Sequence, residues 1–193
     1  MRTSLSILAA GLMFLSGAPV FAQGHGPVPD TGMIAIGASA GASIPSDGRL
    51  KNGVEIAANV EGYLTPRVSI RGQLGGTWQD FQGQAFTGTV KPMFFDGNIV
   101  YNWEGGAWHP FVTAGVGLYR FRYEETAPGR ATVEGTDTSA GFDVGGGFEY
   151  FFTRHATITG EALYHKVGDV NTALAPFSDP SFWTLSLGLK KYF

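Results

Sequence analysis

The chain has no cysteine, and only 15% of its 193 residues are charged. The first absence excludes a disulfide scaffold, a thiol nucleophile and a thiolate metal site. The second is unusual for a protein dissolved in water, whose surface is normally richer in Lys, Arg, Glu and Asp. A formal net charge of −3, without Lys/Arg clusters, argues against nucleic acid as a partner. No segment carries a convincing helical period, and no apolar run reaches the roughly 20 residues of a membrane-spanning helix. His25, His109 and His155 lie in a leader and in short turns without ligand-like spacing, so they support no metal site. Gly145-Gly146-Gly147 is followed by neither a helix nor a Lys, so it is not a phosphate loop; close strand packing or a barrel bend accounts for it. No cofactor is expected. What remains is a chain that is 44% hydrophobic, too apolar for disorder, with 29 glycines in no collagen period.

The first residues read as an address. Arg2 is a positive n-region, residues 5–15 are an apolar stretch of h-region length, and Val20-Phe21-Ala22 offers small residues for cleavage after Ala22. This predicts a signal peptide over 1–22 and export of the rest. Residues 23–31 (QGHGPVPDT) read as a loose leader, because Gly and Pro neither pack nor pair regularly there.

From residue 32 to 193 the chain alternates with a period of two, the spacing of strands with two unlike faces. Trp183, Leu185, Leu187, Leu189 and Phe193 share one face; Thr184, Ser186, Gly188, Lys190 and Tyr192 share the other. Val54, Ile56, Ala58, Val60 and Leu64 oppose Glu55, Asn59, Glu61 and Tyr63. Val68, Ile70, Leu74 and Trp78 oppose Ser69, Arg71, Gln73 and Thr77, and Phe142, Val144, Phe148 and Tyr150 oppose Asp143, Glu149 and a row of glycines. Weaker alternation over about 33–44, 93–103, 110–122 and 156–166 completes eight strands of roughly ten residues, the length a tilted strand needs to cross a bilayer. Short turns are expected at 65–67, 104–109 and 152–155, and long loops near 45–52, 79–91, 124–137 and 168–181. That rhythm is the one of an antiparallel up-and-down barrel with short turns at one rim and long loops at the other. Closure also removes the unpaired strand edges.

Alternation does not say which face is outside, since a soluble eight-stranded barrel has an apolar interior. The size of the polar-face residues decides. A water-facing exterior would carry many Lys and Glu, whereas this face is mostly Gly, Ser, Thr, Ala and Asn with single charges. Small residues suit a bore that only side chains can fill. The Val/Ile/Leu/Ala face, with aromatics near its ends, suits hydrocarbon and its interfaces.

On Pro110 to Leu118 (PFVTAGVGL), Gly145 to Tyr150 (GGGFEY) and the terminal Trp183 to Phe193, the chain resembles the small eight-stranded outer-membrane β-barrel proteins of Gram-negative bacteria, the OmpA/OmpX-type superfamily. The resemblance spans the whole exported chain and implies a location in the outer membrane. It implies outer-membrane lipid and lipopolysaccharide as surroundings, with barrel-assembly machinery and periplasmic chaperones met during biogenesis. Leu187, Leu189, Tyr192 and Phe193 look like that family's C-terminal assembly signal. Lys191 departs from it and, if it points outward, must snorkel to the rim. With the chain ending at Phe193, no peptidoglycan-binding domain is expected.

The face assignment points Glu55, Glu61, Asp96, Asp143, Glu149 and Glu161 into the bore, with Arg71, Lys190 and His165. Buried charges must pair, so the expectation is an ionic, hydrogen-bonded plug that fixes barrel shape; a narrow cation-preferring path is the competing reading. Glu161 and His165 share a strand face and could form an acid–base pair. A lipid-modifying hydrolase needs a Ser beside them, exposed to lipid, and none is near. The expected function is non-enzymatic: envelope integrity, or surface interaction through the long loops. The alternatives are a narrow pore or carrier for small solutes, apolar ones among them, and less so a lipid-modifying outer-membrane hydrolase.

Overall fold

The computed structural model describes residues 29–48, 50–82, 87–103, 106–126, 132–169 and 180–193. The expected signal peptide over 1–22 and leader residues 23–28 lie outside them. Eight strands follow in order: β1 (Ile34–Pro45), β2 (Gly53–Tyr63), β3 (Val68–Gln82), β4 (Thr87–Asn102), β5 (Trp108–Thr126), β6 (Val133–Thr153), β7 (Ala156–Val167) and β8 (Phe182–Tyr192). Each pairs antiparallel with the next, and β8 closes on β1.

Register fixes the shape. The pairs Ala35–Glu61, Glu61–Arg71, Arg71–Asn98, Asn98–Gly115, Gly115–Asp143, Asp143–His165 and His165–Phe182 lead once round the wall, and Phe182 pairs with Pro45. The path returns to β1 ten residues above its start. With a rise of about 3.3 Å per residue and strands about 4.8 Å apart, that stagger tilts the strands by about 40°.

The apolar stripe faces out. Leu187 is 67% exposed, Val116 71% and Ile99 65%, whereas Glu61, Asp96 and His165 are fully buried. Aromatic residues collect at the two ends of the belt. Trp108 lies against Tyr150 (centroids 4.8 Å) and Tyr101 against Trp103 (5.0 Å) near the short turns; Tyr164 lies against Trp183 (5.1 Å) toward the other rim. This is the placement of interfacial girdles in a bilayer. Lys191 faces outward near the chain end, its Nζ 5.0 Å from the Phe193 ring centre, within snorkelling reach of the rim.

The short turns form where expected, and two are shorter than expected. Thr65 Oγ1 accepts from the backbone N–H groups of Arg67 (3.2 Å) and Val68 (2.9 Å), closing the first. Gly106 takes φ +73°, which a side chain would resist, and β5 already begins at Trp108. The β6–β7 turn contracts to Arg154 and His155 beside a bulge at Phe151/Thr153.

Two of the four long loops need correction. Residues 79–91 and 124–137 are largely strand: β3 runs to Gln82, β4 starts at Thr87, β5 ends at Thr126 and β6 starts at Val133. The reason is that the pattern inverts beyond the membrane. On β5, Tyr119, Phe121 and Tyr123 point inward while Arg120 and Arg122 face out. On β4, Val90 is buried and Lys91 half exposed. Polar residues outside and apolar ones inside is the pattern of a strand in water, and it looks like a loop when the membrane pattern is the template. With 21 residues, β6 rises about 50 Å, roughly twice the height of a barrel's apolar band.

Candidate functional site

The lumen is filled by polar side chains together with large apolar ones such as Phe94, Phe111, Phe151 and Leu163, and glycines decide which of them meet. A Cβ on Gly37 of β1 would lie 2.7 Å from Lys190 Cγ. Its absence lets Lys190 of β8 cross β1 and reach Glu61 on β2. On β5, a Cβ on Gly117 would lie 2.8 Å from Asp96 Cβ, so the bare backbone there leaves room for Asp96 of β4.

All nine ionisable residues assigned to the bore point into it, and they separate into two groups. The first is nearer the short turns. Glu61 accepts from Arg71 Nε (3.1 Å), from Lys190 Nζ (2.5 Å) and from the Ser69 hydroxyl. Arg71 Nη1 donates to Glu161 (2.6 Å), and Lys190 also donates to Glu149. Glu149 in turn accepts from Tyr192, whose hydroxyl is 3.2 Å from that of Tyr63. The Phe111 ring underlies both cations, 5.1 Å from Arg71 Cζ and 5.8 Å from Lys190 Nζ. Three carboxylates and two cations are thus joined in one buried network. Charge-assisted bonds in such a site are strong, and each member leaves a costly orphan if removed.

The second group lies toward the long-hairpin rim and is not neutralised. Asp96 accepts from Asn98 Nδ2 at 2.7 Å, and Asn98 Oδ1 accepts from Thr113 at 3.3 Å. Asp96 Oδ2, both oxygens of Asp143 and Oε2 of Glu55 are buried with no hydrogen-bond partner of normal geometry. His165 lies beside them. Its Nδ1 is 3.0 Å from the Tyr119 hydroxyl and its Nε2 3.3 Å from Thr184 Oγ1. It stacks on Phe182 (4.6 Å) and packs on Phe94 (5.1 Å).

Above this group, Val90, Phe94, Tyr119, Phe121, Tyr123, Val167 and Phe182 form an apolar core with Ala57. The sequence reading did not identify this aromatic stopper. Tyr119, Phe121 and Tyr123 at alternate positions were the available signal. The acid–base pair that a shared strand face allows Glu161 and His165 does not form: Glu161 bonds Arg71, and His165 bonds Tyr119 and Thr184. His165 is fully buried in the lumen, away from any lipid substrate. At the chain end Leu187, Leu189 and Phe193 face outward, while Tyr192 faces inward.

Comparison with known proteins places this architecture. No curated protein matches the sequence. Among solved structures, Neisserial surface protein A (NspA) is similar with a TM-score of 0.64 at 18% identity, over 84% of this chain and 99% of that one. Ail, the attachment invasion locus protein of Yersinia pestis, is similar with a TM-score of 0.61 at 13% identity, over 84% and 99%. The outer membrane protein OprG from Pseudomonas aeruginosa gives 0.60 at 14%, over 86% and 98%. At these identities the likeness is one of fold. The profile of the family described as outer membrane protein beta-barrel domain matches residues 7–193. Since that match runs through all eight strands of a barrel whose apolar face looks outward, the chain belongs to the outer-membrane β-barrel family and is a protein of the Gram-negative outer membrane.

Proposed function

We propose that this protein is a non-conducting, non-enzymatic barrel that supports the envelope and acts at the cell surface through its projecting hairpins. One observation carries the reading: both halves of the bore are filled, by the Glu61–Arg71–Lys190 network below and the Phe94–Tyr119–Phe182 stopper above. A narrow barrel packed in this way gains rigidity and offers no continuous water path. The β5–β6 hairpin, built from the two longest strands, projects beyond the bilayer. Arg120 and Arg122 are exposed on its outward face, just beyond Leu118. They suit contact with lipopolysaccharide phosphates, to which guanidinium groups bind in a bidentate way. The aromatic-ended terminal strand, with Leu187, Leu189, Tyr192 and Phe193, suits recognition by the assembly machinery and its chaperones.

Planar-bilayer conductance and liposome permeation test the proposal: no stable conductance and no uptake of small solutes is the expected result. The un-neutralised acids Glu55, Asp96 and Asp143 favour a second reading, a narrow cation-preferring path. A stable, cation-selective current that Asp143→Asn reduces would establish it in place of the first. A lipid-modifying activity predicts changed lipid A or phospholipid masses on expression, lost in His165→Ala; unchanged spectra remove it.

A further inference from the structure

Every carboxylate of the lower network bonds a cation, whereas those of the upper lumen do not. The salt bridges of Arg71 and Lys190 go to Glu61, Glu149 and Glu161, with Arg71 Nη2 left without a hydrogen-bond partner. That leaves Asp96 and Asp143, both at most 1% exposed, with three oxygens that accept no hydrogen bond of normal geometry. An uncompensated buried carboxylate costs several kcal/mol, so a fold that brings two together must supply either a proton or a positive partner. The partner must fit between three strands. Asp143 of β6 and His165 of β7 are register neighbours, and Asp96 comes from β4 past the bare backbone of Gly117. One donor atom from each of Asp96, Asp143 and His165 can be chosen so that all lie within 4.8 Å of one another.

We propose that Asp96, Asp143 and His165 bind a divalent first-row transition cation, of the zinc or manganese kind, inside the barrel. Two carboxylates neutralise its charge, and Asp96 and Asp143 no longer stand unpaired. The imidazole selects the class: Ca²⁺ and Mg²⁺ take oxygen donors, whereas a mixed nitrogen and oxygen set suits borderline ions. The bond from His165 to Thr184 is the outer-shell contact that orients a metal-binding imidazole, and Tyr119 supplies a further oxygen at the other ring nitrogen. Metal–ligand distances of about 2.0–2.2 Å require the donors to draw in by about an ångström, which side-chain rotation provides. Phe94 and Phe182 lie against His165 from the stopper, so the ion enters as the barrel closes and is then held. The ion would do for the upper lumen what Arg71 and Lys190 do for the lower. The proposal is independent of the surface role, because a sealed structural ion neither requires nor prevents it.

The test uses full-length protein extracted from membranes in detergent, unfolded in urea with chelator, desalted and refolded with Zn²⁺ or with Co²⁺ as a coloured probe. Heat-modifiable gel migration confirms refolding, and elemental analysis after gel filtration counts the metal. Wild type and His155→Ala, whose imidazole is exposed in a short turn, are expected to retain about one equivalent. Asp143→Asn and His165→Gln are expected to fold yet lose affinity by about tenfold or more, with loss of the visible Co²⁺ bands. Asp143→Asn keeps the side-chain shape and removes an unpaired charge, so without metal it is also expected to resist urea better than wild type. Retention well below one equivalent by wild type overturns the proposal, as does retention by folded Asp143→Asn equal to that of wild type. The proposed non-conducting role fails separately, by a current in the bilayer assay.

Discussion

Arg71→Met separates a buried ionic network from a row of incidental contacts. Met keeps much of the stem that packs near Phe111 and removes the guanidinium that bonds Glu61 and Glu161. The two acids are left unequal. Glu61 retains Lys190 at 2.5 Å and the Ser69 hydroxyl. Glu161, its side chain 11% exposed, loses its bond to Arg71 and is left facing Glu55 in the bore. Removing one partner of a buried pair costs about 3–5 kcal/mol; the surviving partners of Glu61 put this case near the low end, about 3 kcal/mol. Adding Glu161→Gln removes the orphaned charge, and the double variant is expected to recover about 1–2 kcal/mol relative to the sum of the single changes. Urea titrations of the detergent-solubilised barrel, followed by Trp fluorescence and by heat-modifiable migration, give both numbers. The lumen remains occupied by Phe111 and the aromatic stopper, so Arg71→Met should open no stable conductance. A loss below about 0.5 kcal/mol, or strictly additive single and double variants, would refute the network as a source of stability.

Other perturbations address the remaining layers. A Cβ on Gly75 would strike the Phe94 ring, whereas one on Gly72 meets nothing within 4 Å. Gly75→Ala should therefore cost about 1–3 kcal/mol through displacement of the stopper, and Gly72→Ala under about 0.5 kcal/mol, by the same urea assay. Leu187→Arg, on the lipid-facing side of β8, should destabilise the barrel in lipid vesicles by about 2–4 kcal/mol; a neutral effect would mean that this face does not meet hydrocarbon. Tyr119→Phe removes the hydroxyl 3.0 Å from His165 Nδ1 and should cost about 1 kcal/mol, read as a lower urea midpoint without loss of heat-modifiable migration. Truncation of Phe193 should lower the yield of folded barrel in cells while leaving refolding in detergent nearly unchanged, as measured by heat-modifiable migration of each preparation.

Strand number, antiparallel order and the outward apolar face were legible because one rule, alternation against hydrocarbon, governs all eight strands inside the bilayer. Ile56 beside Glu55, or Leu189 beside Lys190, states its orientation within two residues. The same rule hid the upper hairpins. Past Leu118 the outside is water, so Tyr119 to Tyr123 reverses its sense, and a reader holding the membrane template sees a loop. Partners within the lumen were not legible for a different reason. They depend on the stagger of the whole wall: Lys190 meets Glu61 across β1 because Gly37 leaves a gap, and Asp96 approaches Asp143 past Gly117 on β5. A face assignment supplies the set of inward charges, while register and the intervening glycines supply the pairing. The lower network closes on its own cations and the upper one does not. That asymmetry exists only at the level of pairing, since the set of charges alone is simply acidic. It is why the upper lumen, rather than the better-bonded lower one, is the place to look for a bound cation.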